Sequence, residues 1–168
     1  MKKIITLLAV VGMFSLQGCT VEDNSVDNDT IAEVFEIKNI NFINDPVDGY
    51  IIYQKFTPTI FASDVVLIYR LSGTINSNTP IWQLIPRTLF LQQGELDYDF
   101  DFSKVDFTIY AGGTYNLALT PSYIQNQTFR IVIIPGYFSN KSKIVDFADY
   151  DAVMKLFSSQ KTTIKVLN

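Results

Sequence analysis

The stretch that decides the fold reads Gly94-Glu95-Leu96-Asp97-Tyr98-Asp99-Phe100-Asp101-Phe102. Acidic and apolar residues alternate through it, and a period of two is typical of a β-strand with one buried and one solvated face. The pattern predicts an apolar row of Leu96, Tyr98, Phe100 and Phe102 and an acidic row of Glu95, Asp97, Asp99 and Asp101. The simplest structure with this pattern is a solvated acidic face that lies over an aromatic core face.

Eight other segments have the length and composition of strands. Residues 65–71 form a continuous apolar run, which predicts a strand buried on both faces. The others carry β-branched and aromatic residues and lie at 33–42, 50–56, 81–84, 88–91, 107–110, 128–134 and 163–167. This spacing predicts a mainly β protein, an antiparallel β-sandwich (Ig-like or jelly-roll-like) of about seven to nine strands.

One segment near the C-terminus has helical periodicity. Val153 and Phe157 lie one helical turn apart, and Asp149 or Asp146 is placed to cap the first turn. The segment predicts one short C-terminal helix from about residue 149 to 159, which packs one apolar stripe across a sheet edge.

Residues 1–18 have the layout of a secretory signal. Lys2 and Lys3 form a charged start, and the apolar run that follows at 4–16 is too short for a spanning helix. No later apolar run is long enough to cross a bilayer either. We therefore expect the N-terminal segment to be removed on export.

The predicted cut falls directly before the single cysteine of the chain. The residues around it are Leu16, Gln17, Gly18 and Cys19. This stretch resembles the bacterial lipoprotein lipobox, and the resemblance implies that Cys19 is acylated and becomes the first residue of the mature protein. The alternative is a plain secretory signal with a chance cysteine. Acyl chains on Cys19 would be the membrane attachment, since each buried CH₂ adds about 0.8 kcal/mol.

Residues 19–31 are predicted to comprise the lipidated cysteine and a flexible acidic tether, because this stretch is too polar to order itself. Glu22 and Asp23 resemble the export signal that sends lipoproteins of Bacteroidota to the outer face of the outer membrane. The alternative is a solvated linker that carries no export signal. Asp29-Thr30-Ile31 resembles the O-glycosylation motif of the same phylum, with Thr30 as the acceptor.

The remaining residues, 32–168, are predicted to form a single β-rich domain with its own core. The full chain is 48% hydrophobic and 14% aromatic. Without Lys2 and Lys3, 11 basic residues stand against 17 acidic ones, a net charge of −6. This balance argues against nucleic acid as a partner. The absence of histidine removes the commonest general base and metal ligand.

The acidic row admits two alternatives to a solvated face. Asp97, Asp99 and Asp101 could supply oxygen ligands to calcium, although such ligands usually converge from loops. Paired carboxylates could also run glycoside hydrolysis, which makes a small glycan-active hydrolase an alternative. No other cofactor is expected, because the nucleotide, flavin and nucleophile-elbow motifs are missing from the sequence. We therefore predict that the protein is not an enzyme.

The aromatic residues are numerous, with nine Tyr, thirteen Phe and one Trp. Trp82, Tyr110 and Tyr115 follow or adjoin predicted loops, where a ring could stack on a sugar face. The alternative for each is a structural role in the core or at a strand end.

Taken whole, the chain resembles a group of small Bacteroidota (flavobacterial-type) outer-membrane lipoproteins of unknown function, some with collagen-like tethers. The stretches that carry the resemblance are 16–19, the acidic tether, 64–73 and 126–135. The resemblance implies a lipid-anchored, β-rich protein and supplies no activity or ligand.

These observations favour a non-catalytic lipoprotein of the outer membrane, exposed at the cell surface, whose domain contacts another envelope protein or an extracellular glycan. The alternative is a structural subunit of an envelope complex that faces the periplasm.

Overall fold

The computed structural model describes residues 32–136, 145–157 and 164–167. Within these ranges the chain forms ten strands and the short helix α1 (Tyr150–Leu156). The strands are β1 (Glu33–Ile40), β2 (Ile43–Asp45), β3 (Gly49–Lys55), β4 (Val65–Ile75), β5 (Thr79–Ile85), β6 (Arg87–Leu91), β7 (Gly94–Phe102), β8 (Asp106–Gly113), β9 (Gln127–Ile134) and β10 (Ile164–Leu167).

The strands are divided between two five-stranded sheets. The first sheet has the order β10-β1-β9-β4-β5, and the second has the order β2-β3-β8-β7-β6. All neighbours pair antiparallel except β1 and β10, which pair in parallel. The mainly β prediction and the sandwich are confirmed.

The main core lies between the two sheets. The second sheet contributes Leu96 and Tyr98 from β7 and Ile109 from β8, and the first contributes Ile68 from β4 and Ile131 from β9. Each of these side chains is at most 1% exposed. Burial on this scale supplies the main stabilisation of the domain, since the only cysteine of the chain, Cys19, lies before it.

The outward face of the first sheet is also buried, beneath α1. Asp149 caps the helix by accepting a hydrogen bond from the main chain three residues on, at 3.0 Å. Val153 and Phe157 then pack against the sheet and are 0% and 1% exposed. The Tyr69 hydroxyl donates to the carbonyl of Phe147, just before the helix, at 2.7 Å. This cover explains why β4 and β9 are apolar on both sides.

The structure differs from the sequence prediction in three details. The predicted strand 33–42 ends at Ile40, and the chain then crosses to the second sheet as the extra strand β2. The C-terminal strand joins the sheet in parallel, which composition cannot signal. The helix lies across the sheet face and not its edge, since the apolar outward residues of β1, β4 and β9 offer more surface to bury.

The predicted signal (1–18) and tether (19–31) lie outside the described residues. Within the residues that are described, no helix is long and apolar enough to cross a membrane.

Candidate functional site

The outward side of the second sheet is the candidate site, and we call it the open face. Because side chains alternate along a strand, residues between the inward-facing core positions point outward. Its members are exposed or half-buried: Ile43, Ile51, Tyr53, Lys55, Thr88, Phe90, Glu95, Asp97, Asp99, Asp101, Asp106, Thr108 and Tyr110. In this respect the open face is the opposite of the first sheet's outward face, which α1 covers.

The open face is divided into an apolar side and an acidic side. Across one level of the sheet the register aligns Ile43 with Ile51, Ile51 with Tyr110, and Tyr110 with Asp99. Tyr53 occupies the next level and is 48% exposed, while Ile43 is 69% exposed. The apolar side is therefore formed by Ile43, Ile51, Tyr53 and Tyr110 on β2, β3 and β8, and the acidic side lies on β7. Phe90 of β6 lies beyond the acidic side, opposite Glu95.

Two tyrosine–carboxylate hydrogen bonds order the middle of this face. The Tyr110 hydroxyl donates to Asp101 at 2.9 Å, and the Tyr53 hydroxyl donates to Asp106 at 3.1 Å. Partial burial, followed by the hydrogen bond to Asp101, raises the pKa of Tyr110. The hydrogen bond to Asp106 is the main cause that raises the pKa of Tyr53. Both phenols stay protonated at neutral pH and hold the carboxylates in fixed directions.

A shallow depression of about 300 Å³ adjoins the acidic side. Its lining residues are Pro86, Arg87, Thr88, Asp97, Tyr98 and Asp99. It lies where β6 begins, so Arg87 and the two outward carboxylates of β7 surround one recess. This volume is at the low end for small-molecule pockets.

Asp97, Asp99 and Asp101 share the open face, as the alternation predicts. No group of three or more acidic side chains in the described part of the chain could hold a metal ion. Successive same-face positions on a strand lie about 7 Å apart, whereas calcium needs six to eight oxygens at about 2.3–2.6 Å. The spacing of these carboxylates along β7 therefore argues against the calcium alternative.

Trp82 belongs to the opposite side of the molecule. It lies on β5, and the Arg130 guanidinium carbon sits 4.2 Å from its ring centroid, while the Tyr150 ring of α1 lies 5.7 Å away. The buried Trp82 Nε1 has no hydrogen-bond partner among the described atoms. The half-buried ring thus packs against Arg130 and Tyr150.

The cluster around Trp82 also contains a shielded ion pair. Arg130 donates to the Glu36 carboxylate and to the Tyr150 hydroxyl, and Lys38 lies 2.9 Å from Glu36. Burial opposes ionisation of Glu36, but the hydrogen bonds and charges of Lys38 and Arg130 outweigh it and hold its pKa below the ordinary value of 4.5. This arrangement fastens β1, β9 and α1 to one another.

Tyr115 lies beyond β8 and packs partly against the core. Its hydroxyl shares a hydrogen bond of 2.6 Å with the Thr120 hydroxyl. The structure therefore brings Tyr110 together with the acidic row, but it places Trp82 and Tyr115 elsewhere.

Sequence reasoning missed Tyr53 and Asp106 as members of the site. The alternation in 50–56 places Tyr53 opposite the core residue Ile52, and this signal was present in the sequence. The pairing of β3 with β8, which brings Tyr53 beside Tyr110, depends on strand order and could not be read from it.

The residues predicted for anchoring and export lie outside the described residues. They are Leu16, Gln17, Gly18, Cys19, Glu22, Asp23 and Thr30.

The chain matches no known protein-family model, and neither the curated proteins nor the solved structures contain a match to it. The open face and the sequence motifs therefore carry the functional conclusion.

Proposed function

We propose that this protein is a lipid-anchored binding protein of the outer cell surface, in which the open face of a non-catalytic β-sandwich contacts the partner. The lipobox-like Leu16–Cys19 motif supports the anchor, and the acidic residues after Cys19 support export to the surface. The partner is an envelope protein or an extracellular glycan.

The observation that carries this proposal is that the outward face of the first sheet is covered, whereas the outward face of the second sheet is exposed. The first sheet buries its outward face under α1, whereas the second leaves neighbouring apolar groups of β2 and β3 in solvent, with Ile43 69% and Tyr53 48% exposed. Exposed apolar and aromatic groups that cluster beside fixed polar groups are typical of interaction surfaces. The ordered Tyr110–Asp101 pair supplies such a polar group.

Site-specific photo-crosslinking in intact cells tests the binding face. A photoreactive residue at Tyr53 should give a discrete crosslinked species. One at Ile81, which is 38% exposed on the edge strand of the first sheet, should not. Equal crosslinking from both positions, or none from Tyr53 together with no heat in titrations against a glycan panel, would contradict the proposal.

The anchor is tested by substituting Cys19. Cys19→Ser should move the protein from the membrane fraction to the soluble fraction, because the acyl chains supply the attachment. A Ser25→Ala change in the tether provides the matched control and should leave the protein in the membrane. Retention of the Cys19→Ser protein in the membrane would overturn the anchor.

Protease treatment of intact cells distinguishes the two membrane faces. A surface domain should be digested or shaved from the cells, while a periplasmic subunit should survive until the outer membrane is opened. Survival in intact cells would favour the periplasmic structural subunit over the surface protein proposed here.

A further inference from the structure

The strand β7 is longer than the neighbour that covers its outer edge. Strand β6 pairs with β7 only from Leu91 opposite Gly94 to Arg87 opposite Tyr98. The chain comes from β5 of the first sheet and enters β6 at Arg87, so β6 does not extend past the level of Tyr98. Strand β7, in contrast, continues to Phe102. Residues 99–102 therefore pair with β8 on one side, and no strand of the described residues pairs with their other side, which we call the free edge.

Main-chain groups of Phe100 and Phe102 point toward this free edge. Glu95 and Ser103 bond toward the β8 side, through Thr114 N–H to Glu95 O at 2.9 Å and Ser103 N–H to Asp106 O at 2.8 Å. In an antiparallel strand alternate residues bond to opposite sides, so the even-numbered residues of β7, Phe100 and Phe102 included, direct their main-chain groups away from β8.

At the free edge, a carboxylate takes the place of a neighbouring strand as the hydrogen-bond acceptor. The Phe100 N–H donates to the carboxylate of the preceding residue, Asp99, at 2.8 Å instead of to a neighbouring strand. The depression lined by Pro86, Arg87 and Asp99 lies at the step where β6 begins. The Phe100 and Phe102 rings, on the opposite face of β7 from Asp99, stack at 6.4 Å between centroids, and Phe102 is 44% exposed.

We propose that this free edge accepts an extended segment of a partner protein with alternating basic and apolar residues, which adds to the second sheet in line with β6. The inference rests on the proposed function, since it names the partner of the same face. Basic residues of the segment face Asp99 and Asp101 outward, while its apolar residues face Phe100 and Phe102. The segment's carbonyl replaces Asp99 as the acceptor for the Phe100 N–H.

The negative charge beside the free edge favours a basic segment over a second copy of the chain as the occupant. Pairing two copies through the same edge would place Asp99 and Asp101 against identical carboxylates, and directly opposed like charges destabilise a strand pair. A cationic segment gains from the same residues. Strand addition of this kind takes its affinity from main-chain hydrogen bonds and its selectivity from alternate side chains.

The test is backbone-amide NMR of the full chain in nonionic detergent, titrated with the synthetic hexapeptide acetyl-(Lys-Val)₃-amide. We expect shift changes concentrated at residues 99–102, and at least tenfold slower exchange of the Phe100 and Phe102 amides. An otherwise identical peptide that is N-methylated at the bonding positions should bind at least tenfold more weakly, because it cannot complete the ladder.

Matched charge reversals on β7 distinguish strand addition at the free edge from electrostatic attraction of the basic peptide to the acidic face as a whole. Asp101→Lys borders the free edge, and Glu95→Lys changes the same charge where β6 already covers the strand. Asp101→Lys should weaken peptide binding at least tenfold and Glu95→Lys less than about threefold. Equal weakening, shifts spread over the whole open face, or no binding at millimolar peptide would overturn the inference.

A neutral glucan hexasaccharide, titrated in parallel, distinguishes this inference from the proposed function. Shifts at Tyr53 and Tyr110 with the hexasaccharide, and none at 99–102 with the peptide, would overturn strand addition and leave the open face as a glycan-binding surface. If neither ligand binds, strand addition fails, and the crosslinking from Tyr53 still decides on the open face.

Discussion

At the scale of single residues, Arg130 connects more parts of the molecule than any side chain singled out in the sequence. Its guanidinium bonds to Glu36 of β1 and Tyr150 of α1 and stacks over Trp82 of β5. The Arg130 and Glu36 side chains are 17% and 6% exposed. Removing only one partner of a charge pair this shielded destabilises the protein strongly.

We expect Arg130→Met to lower the free energy of unfolding by about 3 kcal/mol, because Lys38 is then the one cationic partner left to Glu36 among the described residues. Urea denaturation followed by circular dichroism measures this change. Arg87→Met, at an exposed arginine on β6, is the control and should cost less than about 0.5 kcal/mol. Similar losses from both variants would show that the buried pair contributes little.

Glu36 should also make stability depend on pH. Its folded-state pKa lies below the ordinary 4.5, so it contributes stability that is fully present above that value and is lost as pH falls through the folded-state pKa. The difference in unfolding free energy between the wild type and Glu36→Gln should therefore be constant near neutral pH and shrink below pH 4.5. Urea denaturation over a pH series measures it.

Ile81→Ala changes no titratable group and is the reference for that series, since its difference from the wild type should stay constant with pH. A Glu36→Gln difference that also stays constant to low pH would contradict the assignment.

At the scale of elements, the two sheets differ in how many of their faces are buried. Strands β4 and β9 lie inside the first sheet, between the core and α1. Strand β7 has one buried face and one solvated face, as its alternating sequence predicts. The prediction that residues 65–71 form a strand buried on both faces is thus confirmed. So is the prediction that residues 95–102 form a strand with one buried and one solvated face.

Ile131, at the centre of β9, should be costly to truncate because it is 0% exposed and tightly packed. We expect Ile131→Ala to lower the free energy of unfolding by about 3–4 kcal/mol through lost burial and the cavity left behind. Ile81→Ala, at 38% exposure on the edge strand β5, should cost about 1 kcal/mol or less. Equal effects would mean that β9 is not the packing centre.

Periodicity predicts which residues share a face, but not which strands are neighbours. The acidic row and the buried run followed from the sequence because each depends on local alternation or hydrophobicity. The division of the chain into β5 and β6 in different sheets, the parallel pairing of β10 and the docking of α1 depend on long-range contacts. The free edge at 99–102 depends on strand order too, so the sequence could not reveal it.

At the scale of the whole molecule, the chain has one covered side and one open side. The helix closes the first sheet, and the open face presents five carboxylates, Glu95, Asp97, Asp99, Asp101 and Asp106, beside exposed apolar groups. A lipid at Cys19 followed by an acidic stretch would hold this domain at the membrane surface. The proposed function joins these two features, the anchor and the open face.

The most direct test of the central claim is affinity purification of the lipidated protein from its own membranes in mild detergent. Wild type and the Ile81→Ala control, changed on the edge strand of the first sheet, should recover the same partner in stoichiometric amounts. Asp101→Lys and Tyr110→Ala should lose it while remaining folded. Full recovery of the partner by all variants would contradict a role for the open face. Recovery of no partner by the wild type, together with no glycan binding, would contradict the binding function itself.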